Sequence, residues 1–185
     1  MPHIKLNDVL ANVTKTLAGK YDVEVELVPI SQPRFFEIIR NDASLWLNWK
    51  QYMPQFWEKN ESVHFVVKPI HEDTMLSGVV GYYVPEKKQL YIGLLEHFIK
   101  GTDNPIKGTL IQLMATTALY FLVTVDGESC IISEPYKDVV KDYEKFGFKV
   151  VKFSISNPDE VEEMEASTGD IMNALKKLAE QASVK

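Results

Sequence analysis

The sequence has little cysteine, no long hydrophobic run and no excess of positive charge. Its single cysteine, Cys130, cannot form an intramolecular disulfide, which predicts a reducing compartment such as the cytoplasm. The longest apolar run, over residues 115–125, contains three threonines and is too short to span a bilayer. The first residues lack a charged segment followed by an apolar one, so no signal peptide is predicted.

Charge and composition narrow the class of protein further. The chain carries 26 acidic and 20 basic residues, and therefore lacks the broad positive field that drives non-specific nucleic-acid binding. Neither nucleic acid nor a membrane is expected as a partner. Nine glycines and nine prolines exclude a collagen-like chain, and 45% hydrophobic residues exclude a wholly disordered one. A length of 185 residues suits one domain with a sizeable core.

Apolar residues recur at helical or strand spacing along the chain. The predicted order is helix, strand, two helices, three strands, helix, strand, helix and strand. The polar residues 85–88 suit the turn of an antiparallel hairpin. The second of the two successive helices is expected to end before Pro54. The predicted segments are residues 6–17, 23–27, 33–39, 45–52, 63–69, 75–84, 89–98, 106–121, 130–132, 136–146 and 148–155.

Residues 157–185 differ in composition from the rest, with seven acidic residues against three basic ones. Their first half, residues 159–165, is predicted to be solvated or loosely ordered. Their second half has helical spacing, with Ser167 or Thr168 as the cap. We therefore predict a domain over residues 1–156, which includes the N-terminal helix, and an acidic tail over residues 157–185 with a C-terminal amphipathic helix.

The most specific local pattern is Tyr-Glu-Lys-Phe-Gly-Phe, which begins at Tyr143, closes a predicted helix and opens the next strand. Gly147 suits the left-handed conformation past a helix end. With the element order of residues 23–155, this pattern resembles the GNAT superfamily of acyl-CoA-dependent N-acyltransferases. The resemblance implies an α/β (α+β) fold with a mixed, mostly antiparallel central sheet flanked by helices. The extra N-terminal helix and the acidic C-terminal helix would be additions to it.

The resemblance also implies a receptor for the CoA pyrophosphate. In the family, a glycine-containing turn after the fourth strand opens a helix, where free amides and the helix dipole face the anion. The family pattern Gln/Arg-x-x-Gly-x-Gly/Ala corresponds here to Pro-Ile-Lys-Gly-Thr-Leu. Gly108 matches the first glycine, and Lys107 and Thr109 are expected to help hold phosphate. Pro105 and Leu110 depart from the pattern, and the leucine side chain would project where the backbone should approach the ligand.

By the same resemblance, the end of strand 89–98 lines the junction of donor and acceptor. Its exposed backbone would pair with the pantetheine arm, so Leu95 and Phe98 are expected to contact the acyl-CoA. Transfer to an amine also requires a group that takes the proton of the amine. Glu96 and His97 are alternative bases, because consecutive strand residues point to opposite faces.

Departure of the CoA thiolate requires a proton donor. Tyr143 matches the family tyrosine that often protonates the thiolate. The alternative is that Tyr143 is a core-facing residue of an amphipathic helix. Each assignment predicts a different response to removal of its hydroxyl group.

Seven aromatic residues, including all three tryptophans, lie within residues 35–57. In the family, this region between the first two strands helps to form the acceptor pocket. Aromatic side chains suit an apolar or cationic acceptor. The alternative is that the rings pack the helices on the sheet, which the helical spacing of Trp46 and Trp49 favours.

The remaining motifs give no support for other chemistry. The four histidines, His3, His64, His71 and His97, have no metal-binding spacing with one another or with cysteine, so no metal is expected. Neither the glycine-rich loop of nucleotide triphosphatases nor the dinucleotide fingerprint is complete. The expected co-substrate, acetyl-CoA or another acyl-CoA, is the one that the resemblance to the GNAT superfamily implies.

Two functions remain open. The first is an N-acyltransferase that moves an acetyl or other acyl group from acyl-CoA to a small-molecule or peptide amine by direct transfer. The second is a catalytically decayed GNAT-fold protein that acts as a protein-binding or structural module, as the departures at Pro105 and Leu110 suggest. The family closes its sheet with a hairpin after the Gly-Phe strand, whereas residues after Ile155 are acidic and helical. An uncovered edge strand would then favour a homodimer or a covering tail.

Overall fold

The computed structural model describes residues 6–20, 23–40, 44–57, 61–100 and 104–183, which contain six α-helices and seven strands. None of the helices in these ranges is long and apolar enough to cross a membrane. The order agrees with the predicted one as far as the strand that follows Gly147. The bounds are α1 Leu6–Leu17, β1 Val25–Pro29, α2 Gln32–Arg40, α3 Trp49–Trp57, β2 Ser62–Pro69, β3 Ser77–Val84, β4 Gln89–His97, α4 Leu110–Val125, β5 Ser129–Ser133, α5 Val140–Glu144, β6 Lys149–Phe153, β7 Val161–Ser167 and α6 Thr168–Ser183.

The strands form one seven-stranded sheet in the order β1-β2-β3-β4-β5-β7-β6. β2 lies antiparallel to both β1 and β3, and β7 lies antiparallel to both β5 and β6. β4 and β5 run parallel, with residues 89–92 opposite residues 129–132. The sheet is therefore mixed and mostly antiparallel, as predicted.

The chain divides into two compact units. One comprises Met1–Tyr83 with Leu94–Leu110, and the other comprises Val84–Gly93 with Ile111–Lys185. The core cluster of the first unit is Ile30, Phe35, Ile38, Trp49, Met53, Val66, Met75, Val80 and Leu94. Fully enclosed side chains of the second unit include Leu113, Met114, Leu122, Cys130, Met164 and Ile171.

The predicted helix over residues 45–52 is wrong in its bounds, because α3 begins later and continues past Pro54. Asn48 caps α3, since its Oδ1 accepts a hydrogen bond from the backbone N–H three residues on, at 3.0 Å. Proline inside a helix removes one backbone hydrogen bond. Trp49 and Met53, both fully buried, lie on one face of α3, and their burial offsets this cost.

The prediction that residues 159–165 are loosely ordered is also wrong. Val161–Ser167 form β7, which lies between β5 and β6. Its buried residues, Met164 and Ala166, alternate with acidic ones, which concealed the strand period of two within a charged run. Glu165 accepts a hydrogen bond from the Ser129 hydroxyl at 2.6 Å, so part of this acidic face has a partner within the sheet.

The segment after Ile155 therefore supplies β7, which pairs antiparallel with β6, and the expectation of acidic and helical residues alone is wrong. The predicted boundary at residues 156/157 does not coincide with the division into units, because residues 111–185 belong to one unit. The C-terminal helix is confirmed as α6, and Ser167 caps it by accepting a hydrogen bond from the Asp170 N–H at 3.0 Å.

Candidate active site

The end of β4 positions Glu96 and His97 on opposite sides of the strand. Burial alternates along β4, and Leu94 and Glu96 belong to the buried set, whereas Leu95 and His97 are half-buried. The two side chains have different hydrogen-bond partners. This separation agrees with the prediction that they cannot serve one cleft together.

Glu96 has a buried carboxylate that accepts hydrogen bonds from four donors. Oε1 accepts from the Trp46 N–H at 2.6 Å and from Lys100 Nζ at 2.6 Å. Oε2 accepts from the Leu47 N–H at 3.1 Å and from the Trp49 indole N–H at 2.8 Å. Both oxygens of the carboxylate are therefore occupied by donors, so the arrangement favours a structural role for Glu96 over that of a base.

Lys100, the fourth donor to Glu96, has two further contacts. Its Nζ donates a second hydrogen bond to the His97 carbonyl oxygen at 2.5 Å, and lies 4.1 Å from the ring centroid of Trp46. Trp46 is 73% exposed, so this contact between its ring and Lys100 lies at the protein surface. Lys100 therefore neutralises Glu96 and joins it to the segment that precedes α3.

His97 is held through one ring nitrogen. Its Nδ1 lies 2.7 Å from Ser77 Oγ and 3.0 Å from Asn104 Nδ2. Burial lowers the pKa of His97, and the positive charge of Lys100 lowers it further, against an opposing effect of Glu96. The imidazole is therefore neutral at pH 7.

Asn104 ties the end of β4 to the turn that precedes α4. Its Nδ2 also donates to the Ile99 carbonyl at 3.1 Å, while its Oδ1 accepts from the Ile106 N–H at 3.1 Å. Its backbone carbonyl accepts from the Lys107 N–H at 3.0 Å. The Asn104 side chain is buried, and both its Oδ1 and its Nδ2 have hydrogen-bond partners, as buried polar groups require.

Gly108 occupies the part of this turn where the resemblance places the pyrophosphate. Its φ of +77° lies in the left-handed region, and a Cβ built on it meets no atom within 4 Å. Glycine is therefore favoured by conformation rather than by crowding. Because residues 104–109 form this turn, α4 begins at Leu110, later than predicted. The side chain of Leu110 is 6% exposed, so the expectation that it projects toward a ligand is wrong.

The neighbours of Gly108 differ in what they offer an anion. Lys107 is exposed, and its ammonium group is available to solvent. The Thr109 hydroxyl donates to the Ile106 carbonyl at 2.7 Å, so its proton is already used within the turn. Lys107 thus remains the better candidate for a phosphate contact.

Tyr143 belongs to the second unit and is 5% exposed. Its ring lies edge-to-face on Phe148, with centroids 5.9 Å apart, beyond the left-handed Gly147. Burial raises the pKa of the Tyr143 hydroxyl above its ordinary range, so the group keeps its proton at neutral pH. The core packing expected in the alternative assignment is therefore present, together with a protonated hydroxyl.

Phe98 packs in the core of the first unit. Its ring lies edge-to-face on Trp49, with centroids 5.1 Å apart. A Cβ on Gly78 would come within 2.6 Å of atoms in both rings, so the close approach requires glycine there. The Phe98 side chain is thus positioned by packing, which leaves its expected contact with acyl-CoA a prediction.

Solved structures provide an independent comparison. An uncharacterized protein from Bacillus halodurans is similar at a TM-score of 0.61 and 12% identity, over 84% of this chain and 90% of that one. The spermidine N-acetyltransferase from Vibrio cholerae in complex with CoA and spermine has a TM-score of 0.58 and 15% identity, over 80% and 98%. Tetrahymena GCN5 has a TM-score of 0.55 and 10% identity, over 79% and 96%. The chain has the GNAT fold.

At these identities the likeness to GNAT proteins is one of fold. No protein-family model and no curated protein matches the sequence. In the described part of the chain, no group of three or more His, Cys, Asp or Glu side chains is arranged to hold a metal ion. His3 lies outside the described residues.

The backbone of β4 bears on the GNAT expectation of pantetheine pairing. The Phe98 N–H donates to the Leu76 carbonyl at 2.9 Å, so it points to the β3 edge. Successive N–H groups of a strand point to opposite edges. The N–H groups of Leu95 and His97 are therefore directed to the other edge. Of the two residues expected to contact the acyl-CoA here, Leu95 has the favourable backbone direction.

Sequence reasoning missed three residues of this GNAT-fold site: Ser77, Lys100 and Asn104. Ser77 is a fully buried hydroxyl on a strand that is otherwise apolar over its first four residues, apart from glycine. That contrast was the available signal, because a polar side chain at a buried strand position requires a partner. Lys100 and Asn104 follow the strand without any periodic pattern, so only the folded chain identifies their partners.

Proposed function

We propose that this chain is an acyl-CoA-dependent N-acyltransferase, which transfers an acetyl or other acyl group directly to a small-molecule or peptide amine. The observation that carries the proposal is the turn at Gly108, left-handed and open above its Cα, which Asn104 ties to His97 at the end of β4. A similar fold occurs in an N-acetyltransferase whose structure contains CoA and spermine.

The proposed transfer assigns a step to each group. The lone pair of the neutral amine attacks the thioester carbonyl carbon, and the carbon–sulfur bond then breaks. Tyr143, whose hydroxyl carries its proton at neutral pH, gives that proton to the thiolate and regains one from the amine through solvent. Of the two alternative bases, Glu96 is enclosed by four donors and His97 is engaged at Nδ1, so in this step the proton of the amine passes to solvent rather than to either group.

We assign binding of the acyl-CoA to the end of β4 and to the turn at Gly108. The Leu95 backbone and Phe98 would contact the pantetheine arm. Lys107, the Gly108 backbone and Thr109 would receive the pyrophosphate, with the first amides of α4 beside them. In this role Thr109 contributes through its backbone and position, since its hydroxyl proton is donated within the turn.

The direct test is calorimetric titration with acetyl-CoA and with free CoA. Gly108→Asp and Gly108→Asn form a matched pair, because both side chains tolerate a left-handed backbone and only Asp adds a negative charge. Repulsion of the pyrophosphate should weaken binding of Gly108→Asp at least about tenfold relative to Gly108→Asn, or roughly 1.4 kcal/mol. Equal affinities would remove the turn from the binding site, and no heat with either ligand would reject the proposal.

One observation favours the second candidate, a non-catalytic binding module. Both expected bases are already engaged, Glu96 by four donors and His97 at Nδ1. A module of this kind should bind no acyl-CoA, including longer acyl chains, and should show no thiol release with any amine. If neither acyl-CoA binding nor thiol release is detected, and the protein still unfolds cooperatively, this candidate becomes the preferred one.

Assembly as a cytoplasmic homodimer is also part of the proposal. β6 ends the sheet, and Val151 and Phe153 on it are 54% and 55% exposed. Light scattering should give twice the chain mass, and Phe153→Lys should give the single-chain mass. A single-chain mass for the unaltered protein would reject the dimer. The cytoplasmic setting rests on the lone Cys130, whose burial raises the pKa of its thiol and leaves it unreactive.

A further inference from the structure

Two hydrogen-bonding groups converge on one nitrogen of His97. Ser77 Oγ lies 2.7 Å and Asn104 Nδ2 lies 3.0 Å from His97 Nδ1. Ser77 is fully buried, and Asn104 is 4% exposed. These contacts come from β3 on one side and from the turn before α4 on the other, so the ring is fixed from two parts of the first unit.

The orientation of the Asn104 amide is determined by its other partners. Its Oδ1 faces the Ile106 N–H and its Nδ2 faces the Ile99 carbonyl, at 3.1 Å each. A flipped amide would place a donor against the N–H and an acceptor against the carbonyl, which loses both hydrogen bonds. The group that faces His97 is therefore the NH2 group, which can donate and cannot accept.

This orientation decides where the imidazole carries its proton. A nitrogen that receives a hydrogen bond from an amide NH2 has no hydrogen of its own. Nδ1 of His97 is thus the acceptor, and a neutral ring then has its hydrogen on Nε2. The Ser77 hydroxyl can donate to the same nitrogen, which reinforces this tautomer. A proton added at Nδ1 would meet the Asn104 amide hydrogens.

We propose that Ser77 and Asn104 hold His97 as a neutral imidazole with its hydrogen on Nε2, and that His97 serves the acyl transfer as a hydrogen-bond donor to the thioester carbonyl oxygen. As the amine nitrogen attacks the carbonyl carbon, the carbonyl electron pair moves to the oxygen, where Nε2–H stabilises the charge. The pair returns when the carbon–sulfur bond breaks. His97 gains and loses no proton, and the proton of the amine leaves through solvent. The donor role rests on the proposed function, whereas the tautomer does not.

The charges around His97 are consistent with a neutral ring. Among the described residues, Lys100 opposes protonation and Glu96 favours it, and Lys100 Nζ is hydrogen-bonded to both the Glu96 carboxylate and the His97 carbonyl. The Glu96 charge is thereby largely compensated. Ser77 and Asn104, which touch the ring itself, are uncharged and act as positioning residues.

Nitrogen-15 NMR of the histidine rings tests the tautomer without any substrate. We expect the His97 hydrogen on Nε2 and the chemical shift of an unprotonated nitrogen at Nδ1 at neutral pH. His64 is an internal reference, since its Nδ1 accepts the Ile30 N–H at 3.2 Å and requires the same tautomer. His97→Gln and His64→Gln assign the two rings. A hydrogen on Nδ1 of His97, or a charged ring at neutral pH, would overturn the proposal.

Variants of the positioning residues sharpen the NMR test. Asn104→Asp replaces the donor by an acceptor, so the His97 hydrogen should move to Nδ1 and its pKa should rise. Ser77→Ala retains the Asn104 donor and should keep the hydrogen on Nε2. If Asn104→Asp fails to fold, Ser77→Ala and the unaltered protein still decide the tautomer. A hydrogen on Nδ1 in Ser77→Ala would contradict the role of Asn104.

Kinetics with acetyl-CoA and spermidine test the donor role. A glutamine amide nitrogen reaches the position of Nε2, whereas an asparagine amide nitrogen reaches that of Nδ1. We expect His97→Gln to keep kcat within about tenfold and His97→Asn to lose about a hundredfold, as on removal of one oxyanion donor. Equal losses in both variants would overturn the donor role. A pH dependence showing that the rate of the unaltered protein requires loss of the His97 proton would overturn it as well. Absence of acyl-CoA binding would reject the proposed function instead, and the NMR result would separate the two failures.

Discussion

Glu96 and His97 are neighbours in the chain, yet their surroundings differ in almost every physical respect. The carboxylate of Glu96 is buried, charged and enclosed by two backbone amides, an indole and an ammonium group. His97 is half-buried and neutral, with contacts at one nitrogen. Because the strand turns consecutive residues to opposite faces, a shift of one position separates an enclosed carboxylate from an imidazole with contacts at one nitrogen.

The comparison teaches that residue type is a weak guide to a base. A carboxylate next to an amine site is the more common expectation for proton transfer, but here its lone pairs are occupied. The imidazole has the lowered pKa that favours a neutral ring, but its neighbours decide which nitrogen carries the hydrogen. Each assignment therefore depends on the number and kind of donors around the group.

The largest expected effect is on stability, from Glu96→Ala. Removing the carboxylate leaves Lys100 Nζ and the Trp49 indole N–H without their acceptor, in a site that is largely closed to water. We expect a loss of about 3–5 kcal/mol in the free energy of unfolding, the usual cost of breaking a buried ion pair. Urea denaturation monitored by tryptophan fluorescence measures it.

Glu96→Gln is the matched control for this experiment. It keeps the volume and one carbonyl oxygen, and should lose less stability than Glu96→Ala. If Glu96→Gln unfolds like the unaltered protein and has lost acyl transfer, the carboxylate is the base and the contrast with His97 fails.

The next effect concerns Tyr143, the proposed proton donor to the thiolate. Tyr143→Phe keeps the buried ring and removes only the hydroxyl, so the thiolate would have to take its proton from water. We expect kcat to fall about a hundredfold or more, as for loss of a general acid, with little change in unfolding. Tyr91→Phe removes another tyrosine hydroxyl of the second unit, one that donates to Gln89 at 3.0 Å, and should retain kcat. Equal rates for both variants would assign Tyr143 to the core alone.

A smaller effect is the loss of stability in acid. His64 and His97 both have a pKa lowered chiefly by burial, so the unfolded chain binds protons more readily than the folded one below about pH 6.5. The stability that the two neutral rings contribute is fully present above that pH. It declines as the pH falls toward the pKa values of the folded state. Urea titrations between pH 7.5 and 5 should show this decline, and His64→Gln and His97→Gln should each remove a part of it. His71→Gln, at an exposed position, is the control. An unchanged decline in His97→Gln would show that the ring is protonated as easily when folded.

Local patterns were sufficient to predict most of the fold. The helical spacing of α1 and its stop at Gly19, which has a φ of +72°, are confirmed, as are the hairpin before β4 and Gly147 after α5. These features depend on residues close in the chain, whose conformational preferences act within a few positions. The errors at α3 and β7 arose where a proline and an acidic run suggested an interruption that burial overrides.

The candidate site was less predictable, because its decisive contacts span long stretches of chain. Fifty residues separate Trp46 from Glu96, and twenty separate Ser77 from His97. The alternation of β4 correctly gave Glu96 and His97 opposite faces, but no periodicity reports which donors meet each face. The number of donors around each side chain is known only from the folded chain, and this number distinguishes the enclosed carboxylate of Glu96 from the imidazole of His97.

The smallest expected effect comes from Trp46, and it tests how far the ring shields the Glu96–Lys100 ion pair from solvent. Trp46→Ala removes the ring that lies over Lys100 Nζ, whereas Trp46→Phe keeps an aromatic face. Since the tryptophan is largely exposed, the coupling between Trp46 and Lys100 should be only about 0.5–1 kcal/mol in a double-mutant cycle with Lys100→Met. A coupling of several kcal/mol would mean that the ring shields the ion pair from water. In that case the stability of the Glu96 site would depend on the Trp46 ring as much as on the four hydrogen bonds, and Trp46→Ala would approach Glu96→Gln in its cost.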